Sequence, residues 1–325
     1  MPIFDQGYQH WDGKLSSHAW RWFTISARGA RSQFKSRWVR LAILGAWIPA
    51  AVLATVLIAW GLIEQKSKLI LPFLSLFHDL PESIMLDPRS YRVTIWTIAY
   101  QYFFLIEMFF SMILVLLVGP SLISRDIRFN AIPLYFSRPL RRFDYFAGKL
   151  GVIGFFLAAV AVVPALIAYV LGLCFSMDLT VVRDTARLMI ASVGYGLIVV
   201  VSAGMLMLAI SSLSRNSRYV GAFWVGIWFV SNVVGGALQG WVKASWCPLV
   251  SYTGNLLRIN HVLLDTDSAW DQIGSLMDPR NRDAILVGFR GPTYPWYWSL
   301  GVLAGLLGIS LCILTTRVKS LDRLK

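Results

Sequence analysis

One acidic residue, Glu107, lies near the middle of a long apolar stretch, residues 93–122. An acidic side chain at the centre of a membrane-spanning helix costs about 2.5–3.5 kcal/mol on insertion scales, so it should face other helices or a water-filled cavity. We expect Gln101 and Asn232 to be its polar neighbours along a central route through the protein. The alternative is a protonated Glu107 that hydrogen-bonds to another helix and serves packing alone.

Other side chains that could perform catalysis or bind a metal are few and scattered. The four histidines, His10, His18, His78 and His261, have no metal-ligand spacing. No G-x-x-x-x-G-K-[ST] phosphate-binding loop is present, because Phe143 occupies the first glycine position ahead of Gly148-Lys149. The sequence therefore predicts no catalytic residues, no metal site and no cofactor on this chain.

The composition is that of a membrane protein. Of 325 residues 57% are hydrophobic and only 14% are charged, with a mean hydropathy of +0.61. A soluble globular chain usually carries about a quarter charged residues. These values exclude a disordered chain, a typical cytosolic enzyme and a free nucleic-acid binder, and they make membrane lipids the surroundings of the chain.

Six stretches are long enough to cross a bilayer, whose hydrocarbon core of roughly 30 Å needs about 20 helical residues. We predict an all-α polytopic membrane protein with a single transmembrane domain over residues 1–325. The six spans are expected at about residues 41–63, 95–119, 150–173, 188–213, 219–239 and 296–316. The loop 243–295 joins the last two spans, and its uncharged part, residues 244–257, is compatible with re-entry into the membrane surface.

The charge distribution predicts the orientation. Lys and Arg outnumber Asp and Glu by 30 to 17, a net charge of +13. Nineteen of the 30 basic residues fall in the segments on the side of the two termini. Since basic loops stay in the cytoplasm, both termini are predicted to be cytoplasmic, in the inner membrane of a bacterial cell.

The N-terminal segment, residues 1–38, is predicted to be cytoplasmic and to lie at the membrane interface. Residues 11–38 have the pattern of an amphipathic helix beside anionic lipid. Its basic arc holds Arg21, Arg28, Arg31 and Lys35, and a separate apolar arc holds Trp11, Leu15, Trp22 and Ile25. A flexible basic tail that only sets the topology is the alternative.

The loop 120–149, between the second and third spans, combines aromatic and basic residues. A short helix with aromatic side chains and basic ends, held between two membrane helices, would suit a groove on a cytosolic partner. The predicted docking residues are Arg125, Asp126, Arg128, Phe129, Tyr135, Phe136, Arg138, Pro139, Arg141 and Arg142. An ordinary basic cytoplasmic loop is the alternative.

Part of this loop resembles the coupling loop of ATP-binding-cassette (ABC) type-2 transporter permeases. The resemblance is most specific over residues 137–150, which read SRPLRRFDYFAGKL, and six spans with a cytoplasmic N-terminus agree with it. Asp126 matches an acidic position of that family, Arg138-Pro139 its basic-proline pair, and Gly148-Lys149 its entry to the third span. The chain departs from the family at residues 130–133, NAIP, where members often have Gly-Thr and then an acidic residue.

The resemblance implies a permease subunit that exports a hydrophobic or amphipathic substrate by alternating access. Two copies of a separate cytosolic ATPase would carry ATP and Mg, and a second permease chain would complete the transporter. Small residues in the fifth span, Gly221, Ala222 and Gly226, would let that helix face the second chain. From a different class, the alternative is a membrane scaffold or assembly factor that transports nothing and recruits a cytosolic partner through loop 120–149.

Overall fold

The computed structural model describes residues 20–66, 87–132, 135, 140–176, 178, 180–242, 244–276 and 294–322. This part of the chain is 90% helical and contains no strands. The helices are α1 (Arg21–Gln33), α2 (Arg37–Glu64), α3 (Arg92–Val118), α4 (Ser121–Arg128), α5 (Arg142–Ser176), α6 (Thr180–Leu213), α7 (Ser217–Val242), α8 (Tyr252–Leu264), α9 (Thr266–Gly274) and α10 (Trp296–Asp322).

Six helical segments are long and apolar enough to cross a membrane, as the sequence predicted. They are Arg37–Glu64, Pro88–Arg128, Arg142–Ser176, Thr180–Leu213, Ser217–Val242 and Trp296–Arg317. The shortest has 22 residues, or about 33 Å at ~1.5 Å per residue, which exceeds a hydrocarbon core of about 30 Å. Most of these helices begin several residues before the predicted spans, because polar first turns continue the helix outside the apolar stretch.

Two prolines set the breaks and bends of the long helices. Pro120 separates α3 from α4, since proline lacks an N–H and its ring clashes with the preceding helical turn. The two helices α3 and α6 pack closely at the same place, since Gly119 leaves no room for a Cβ beside the Met207 side chain of α6. In α5 a π-helical turn, Ala158–Val162, directly precedes Pro164, which removes a backbone hydrogen bond at that point.

Helix α1 is packed along the first turns of α5. The Ser26 hydroxyl donates a 2.9 Å hydrogen bond to the Gly148 carbonyl, and a Cβ on Gly148 would lie 2.7 Å from Cβ of Ile25. Phe34, just after α1, places its ring 5.0 Å from the ring of Phe156. The predicted helix over residues 11–38 is therefore wrong in one respect, since the chain turns between α1 and Arg37; residues 11–19 lie outside the described part.

A buried arginine joins three helices at the opposite end of the bundle. Arg92, only 2% exposed, donates three hydrogen bonds to the Glu64 carboxylate, at 2.6, 2.9 and 3.1 Å. It also lies 3.2 Å from Asp184 and 3.5 Å from Asp178. The start of α3 is thus tied to the end of α2, to the start of α6 and to the turn before it.

The segment after α7 turns back into the helix bundle. The Ser231 hydroxyl, in α7, accepts a 3.2 Å hydrogen bond from the backbone N–H of Tyr252, and the Tyr252 hydroxyl lies 2.8 Å from that of Ser202 in α6. Ser231 precedes the end of α7 at Val242 by about 16 Å at ~1.5 Å per residue. Helix α8 therefore begins deep between helices and runs back outward, so that Arg187 meets Asp265 at 3.1 Å.

Candidate functional site

Helix α4, within the predicted docking loop, is held by a serine of another helix. The Ser211 hydroxyl, in α6, accepts hydrogen bonds from the backbone N–H groups of Ile123 and Ser124, at 3.2 and 3.0 Å. It donates to the Pro120 carbonyl at 3.0 Å. These N–H groups belong to the first turn, which has no intrahelical acceptors, so Ser211 satisfies them and fixes the start of α4. Ser124 also lies 2.7 Å from the Ser217 hydroxyl at the start of α7.

The acidic residue of α4 faces inward. One carboxylate oxygen of Asp126 lies 2.7 Å from the Lys149 ammonium and accepts a 2.7 Å hydrogen bond from the Tyr145 hydroxyl. The Lys149 ammonium lies 5.8 and 5.4 Å from the ring centres of Tyr135 and Tyr145. Burial and the Asp126 carboxylate raise the pKa of Tyr135. Asp126, predicted to contact a partner, instead anchors α4 to α5, and Lys149 and Tyr145 are the contacts that the sequence analysis did not identify.

The outer side of α4 is basic and aromatic. Arg125 and Arg128 are exposed, and the Arg128 guanidinium lies 5.7 Å from the ring centre of Phe129, which is 67% exposed. Asn130, with φ of 50°, takes the left-handed conformation that ends the helix. At the start of α5, Arg141 and Arg142 are exposed beside Phe143, which is 76% exposed. We name this set, Arg125, Arg128, Phe129, Arg141, Arg142 and Phe143, the docking surface, after the predicted contact with a cytosolic partner.

Phe143 was not predicted as a docking residue. Its position, an aromatic side chain between two arginines and the third span, could have indicated this role. Tyr135 was predicted, and its half-buried ring lies 5.3 Å from that of Tyr145. Three further predicted residues, Phe136, Arg138 and Pro139, lie outside the described residues.

Glu107 is buried inside the bundle and lines a small cavity. It is 1% exposed, and neither carboxylate oxygen has a hydrogen-bond partner within the described residues. The cavity of about 10 Å³ is also lined by Ser111 and by Tyr195 and Gly196 of α6, and the Tyr195 hydroxyl likewise lacks a partner there. Such a cavity admits about one water molecule. The arrangement is therefore a small, mainly apolar cavity beside a buried carboxyl group, and Glu107 makes no hydrogen bond to another described helix.

The other two predicted polar residues do not join Glu107. Gln101 accepts a 2.7 Å hydrogen bond from the Trp270 indole of α9. Asn232, exposed on α7, accepts a 3.1 Å hydrogen bond from the Ser251 hydroxyl at the start of α8. The prediction that they are neighbours of Glu107 is wrong because each lies on a helix face that meets the re-entrant α8–α9 segment. That segment could not be placed from apolar spans alone.

An apolar groove lies between α2 and α3. It measures about 730 Å³ and is lined by apolar side chains such as Pro49, Val52, Ile98 and Phe103, with Trp270 of α9 at its edge. Within a bilayer, lipid chains or the apolar part of another molecule would fill such a groove.

Over the described residues, the fold and these sites define an all-α multi-pass membrane protein with a buried acidic side chain and an exposed basic, aromatic surface on α4 and the start of α5. No protein-family model matches the chain, and no curated protein matches it with significant sequence similarity.

Proposed function

We propose that the chain is the membrane permease subunit of an ATP-driven transporter of the ABC type-2 class. The observation that carries this proposal is the attachment of α4. Its inner side is fixed to the bundle by the buried Asp126–Lys149 pair, while its outer side presents arginine and phenylalanine. A helix with this division of faces suits the transmission of force from a cytosolic partner to membrane helices.

The contacts of α4 define the path of that force. Ser211 links α4 to α6, Ser217 links it to α7, and Lys149 links it to α5. A partner that pulls or pushes α4 would therefore act on three long helices at once. ATP binding and hydrolysis by the partner would use this lever to switch the permease between inward-facing and outward-facing states.

The docking surface specifies the chemistry of its partner. Exposed Phe129 and Phe143 would enter apolar pockets, and the neighbouring arginines would meet carboxylates, because aromatic and arginine side chains dominate the energetics of protein interfaces. The partner is a cytosolic ABC ATPase in two copies, which carries ATP and Mg. The α1 and α4 end of the bundle is accordingly the cytoplasmic end, in a bacterial inner membrane.

Helix α7 would supply the contact with a second permease chain. A Cβ on Gly236 or on Gly240, four residues apart, would meet nothing within 4 Å. Asn232 is exposed on the same helix; its Oδ1 accepts from Ser251, but hydrocarbon offers no acceptor to its amide N–H groups. Small residues together with a polar one favour helix–helix contact in a membrane. We infer that α7 faces its counterpart, and that a hydrophobic or amphipathic substrate is exported.

The test is co-purification with a soluble ATPase encoded beside this chain. We expect Arg128→Glu and Phe129→Ala each to abolish the complex, because they remove a charge and an apolar contact from the docking surface. Lys35→Glu is the matched control, since Lys35 is exposed on the same end of the bundle outside this surface. Unchanged binding in both docking variants would overturn the assignment.

A second measurement separates the permease from a scaffold that recruits an ATPase. The complex is reconstituted in vesicles, and ATP-dependent movement of a fluorescent amphipathic lipid analogue is followed, with an ATPase variant that cannot hydrolyse ATP as control. A stable complex that shows neither ATP-dependent movement of the lipid analogue nor an ATP-dependent conformational change in the permease would favour the scaffold.

A further inference from the structure

A cavity with two basic side chains lies between α1, α4 and α5. It measures about 320 Å³, and its lining includes Thr24, Arg28, Leu122, Tyr135 and Lys149. Thr24 and Arg28 project from one face of α1, and Lys149 from the second turn of α5. The cavity therefore depends on the packing of α1 against α5, through Ser26 and Gly148, and on no partner molecule.

The charges around this cavity leave one positive charge without a partner. Lys149 is paired with Asp126 at 2.7 Å. Arg28 is exposed and makes no hydrogen bond or ion pair with the part of the chain that the structure describes. The sum over Arg28, Lys149 and Asp126 is +1, which matches the single negative charge of a phosphodiester. Tyr135 lines the same cavity, and its hydroxyl supplies a further hydrogen-bond donor.

The position of the cavity indicates that its ligand is a lipid. Lys149 lies at the start of a helix long enough to span a membrane, Arg142–Ser176. On the other side of α1 is an apolar groove of about 440 Å³, lined by residues that include Trp22, Phe23, Phe34 and Phe155. Apolar surface beside a basic cavity at the end of a membrane helix is the arrangement found where basic pockets bind anionic lipid headgroups.

We propose that the cavity between α1, α4 and α5 binds the phosphate of an anionic phospholipid, with Arg28 and Lys149 as its two cationic groups. The bound phosphate would bridge α1 to α5 beside the Asp126–Lys149 pair, and it would thereby stiffen the attachment of α4. This inference does not rest on the proposed transport function, because it concerns the isolated chain.

The experiment measures lipid retention by the full chain, purified in detergent, with native mass spectrometry. The probes are phosphatidylglycerol, which is anionic, and phosphatidylcholine, which carries no net charge. We expect the wild type to retain phosphatidylglycerol selectively. Arg28→Gln should weaken that retention about tenfold, the loss expected when one charge-assisted hydrogen bond is removed. Lys35→Gln, at the end of α1 but outside the cavity, should retain the lipid as the wild type does.

Two results would overturn the proposal. Equal retention of phosphatidylglycerol by Arg28→Gln and the wild type would show that the lipid binds elsewhere. Displacement of the lipid by millimolar inorganic phosphate, together with equal thermal stabilisation by phosphate alone, would show that the cavity takes free phosphate. Circular dichroism of Arg28→Gln confirms that the variant is folded, and since Arg28 is exposed the substitution should leave the helix content unchanged.

Discussion

Asp126 and Lys149 form an ion pair of 2.7 Å in which both side chains are largely buried, at 15% and 11% exposure. The pair joins α4, the short helix that follows α3, to the second turn of α5. Each charge has been removed from most of its water, so each depends on the other and on the Tyr145 hydroxyl.

Breaking this pair should strongly destabilise the protein. Asp126→Asn leaves the Lys149 ammonium buried without a countercharge, and we expect a loss of about 3–5 kcal/mol in the free energy of unfolding. The measurement is chemical unfolding of the purified chain in detergent, followed by circular dichroism.

The double variant Asp126→Asn, Lys149→Met is the control for that prediction. With both charges gone, no unpaired charge remains in the site, so most of the lost stability should return. Equal losses in the single and double variants would show that packing, and not the charge pair, holds α4.

Replacing Arg92 should lower the free energy of unfolding more than replacing its partner Glu64. Arg92→Gln leaves the buried Glu64 carboxylate without a cation and should cost about 3–5 kcal/mol. Glu64→Gln leaves Arg92 with Asp178 and Asp184, so its loss should be clearly smaller. Thermal unfolding of both variants in the same detergent measures the difference. A larger loss in Glu64→Gln than in Arg92→Gln would contradict this account.

Because of His261, the stability of the folded protein should decrease as the pH falls. Burial lowers the pKa of this imidazole below its ordinary value of 6.5, with smaller opposing effects of Asp267, which raises it, and Arg258, which lowers it further. The unfolded chain therefore binds the proton more readily, so stability is greatest above pH 6.5 and declines as the pH falls through that value. The slope is at most about 1.4 kcal/mol per pH unit for one proton.

The pH prediction is checked by unfolding measurements at about pH 8 and about pH 5. In His261→Gln the part of the slope due to this residue should disappear. His261 lies 2.7 Å from the Thr266 hydroxyl through Nδ1, and glutamine keeps a hydrogen-bonding group near that place. Identical pH dependence in the variant and the wild type would assign the acid sensitivity to other groups.

Replacing Glu107 with leucine should raise stability. Its two oxygens are buried without partners within the described residues, and an unsatisfied buried polar group costs about 1–3 kcal/mol. Leucine is similar in size and carries no polar atom, so Glu107→Leu should gain free energy of unfolding in that range, while Glu107→Gln should change little. A destabilised leucine variant would mean that Glu107 makes a favourable polar interaction in the folded protein.

A transport measurement distinguishes a functional role of Glu107 from a role in packing alone. If Glu107 serves the transport cycle, a more stable Glu107→Leu variant loses ATP-dependent transport while the complex with the ATPase is retained. Tyr195→Phe removes the other unpartnered group of the same cavity and is the matched control for stability. Normal transport by a stable leucine variant would remove Glu107 from any functional role.

The apolar stretches were readable without tertiary information because a span is defined by length and hydropathy. A charge inside a span is also visible in the sequence, which is why Glu107 was identified there. The partners of polar residues were not predictable, and Gln101 and Asn232 show the reason. Both were assigned to Glu107 because all three lie in spans, yet each bonds to a residue of the re-entrant segment between α7 and α10.

The sequence by itself determined the helical class and the six membrane-length helices, because these follow from local composition and backbone chemistry. Only the tertiary structure decided which side of α4 is buried. Asp126 and Lys149 are 23 positions apart, and their pairing requires α4 to fold back onto α5. The small cavity at Glu107 likewise required α3 and α6 to meet at Tyr195. Contacts between distant residues depend on how helices pack, and local patterns do not contain that information.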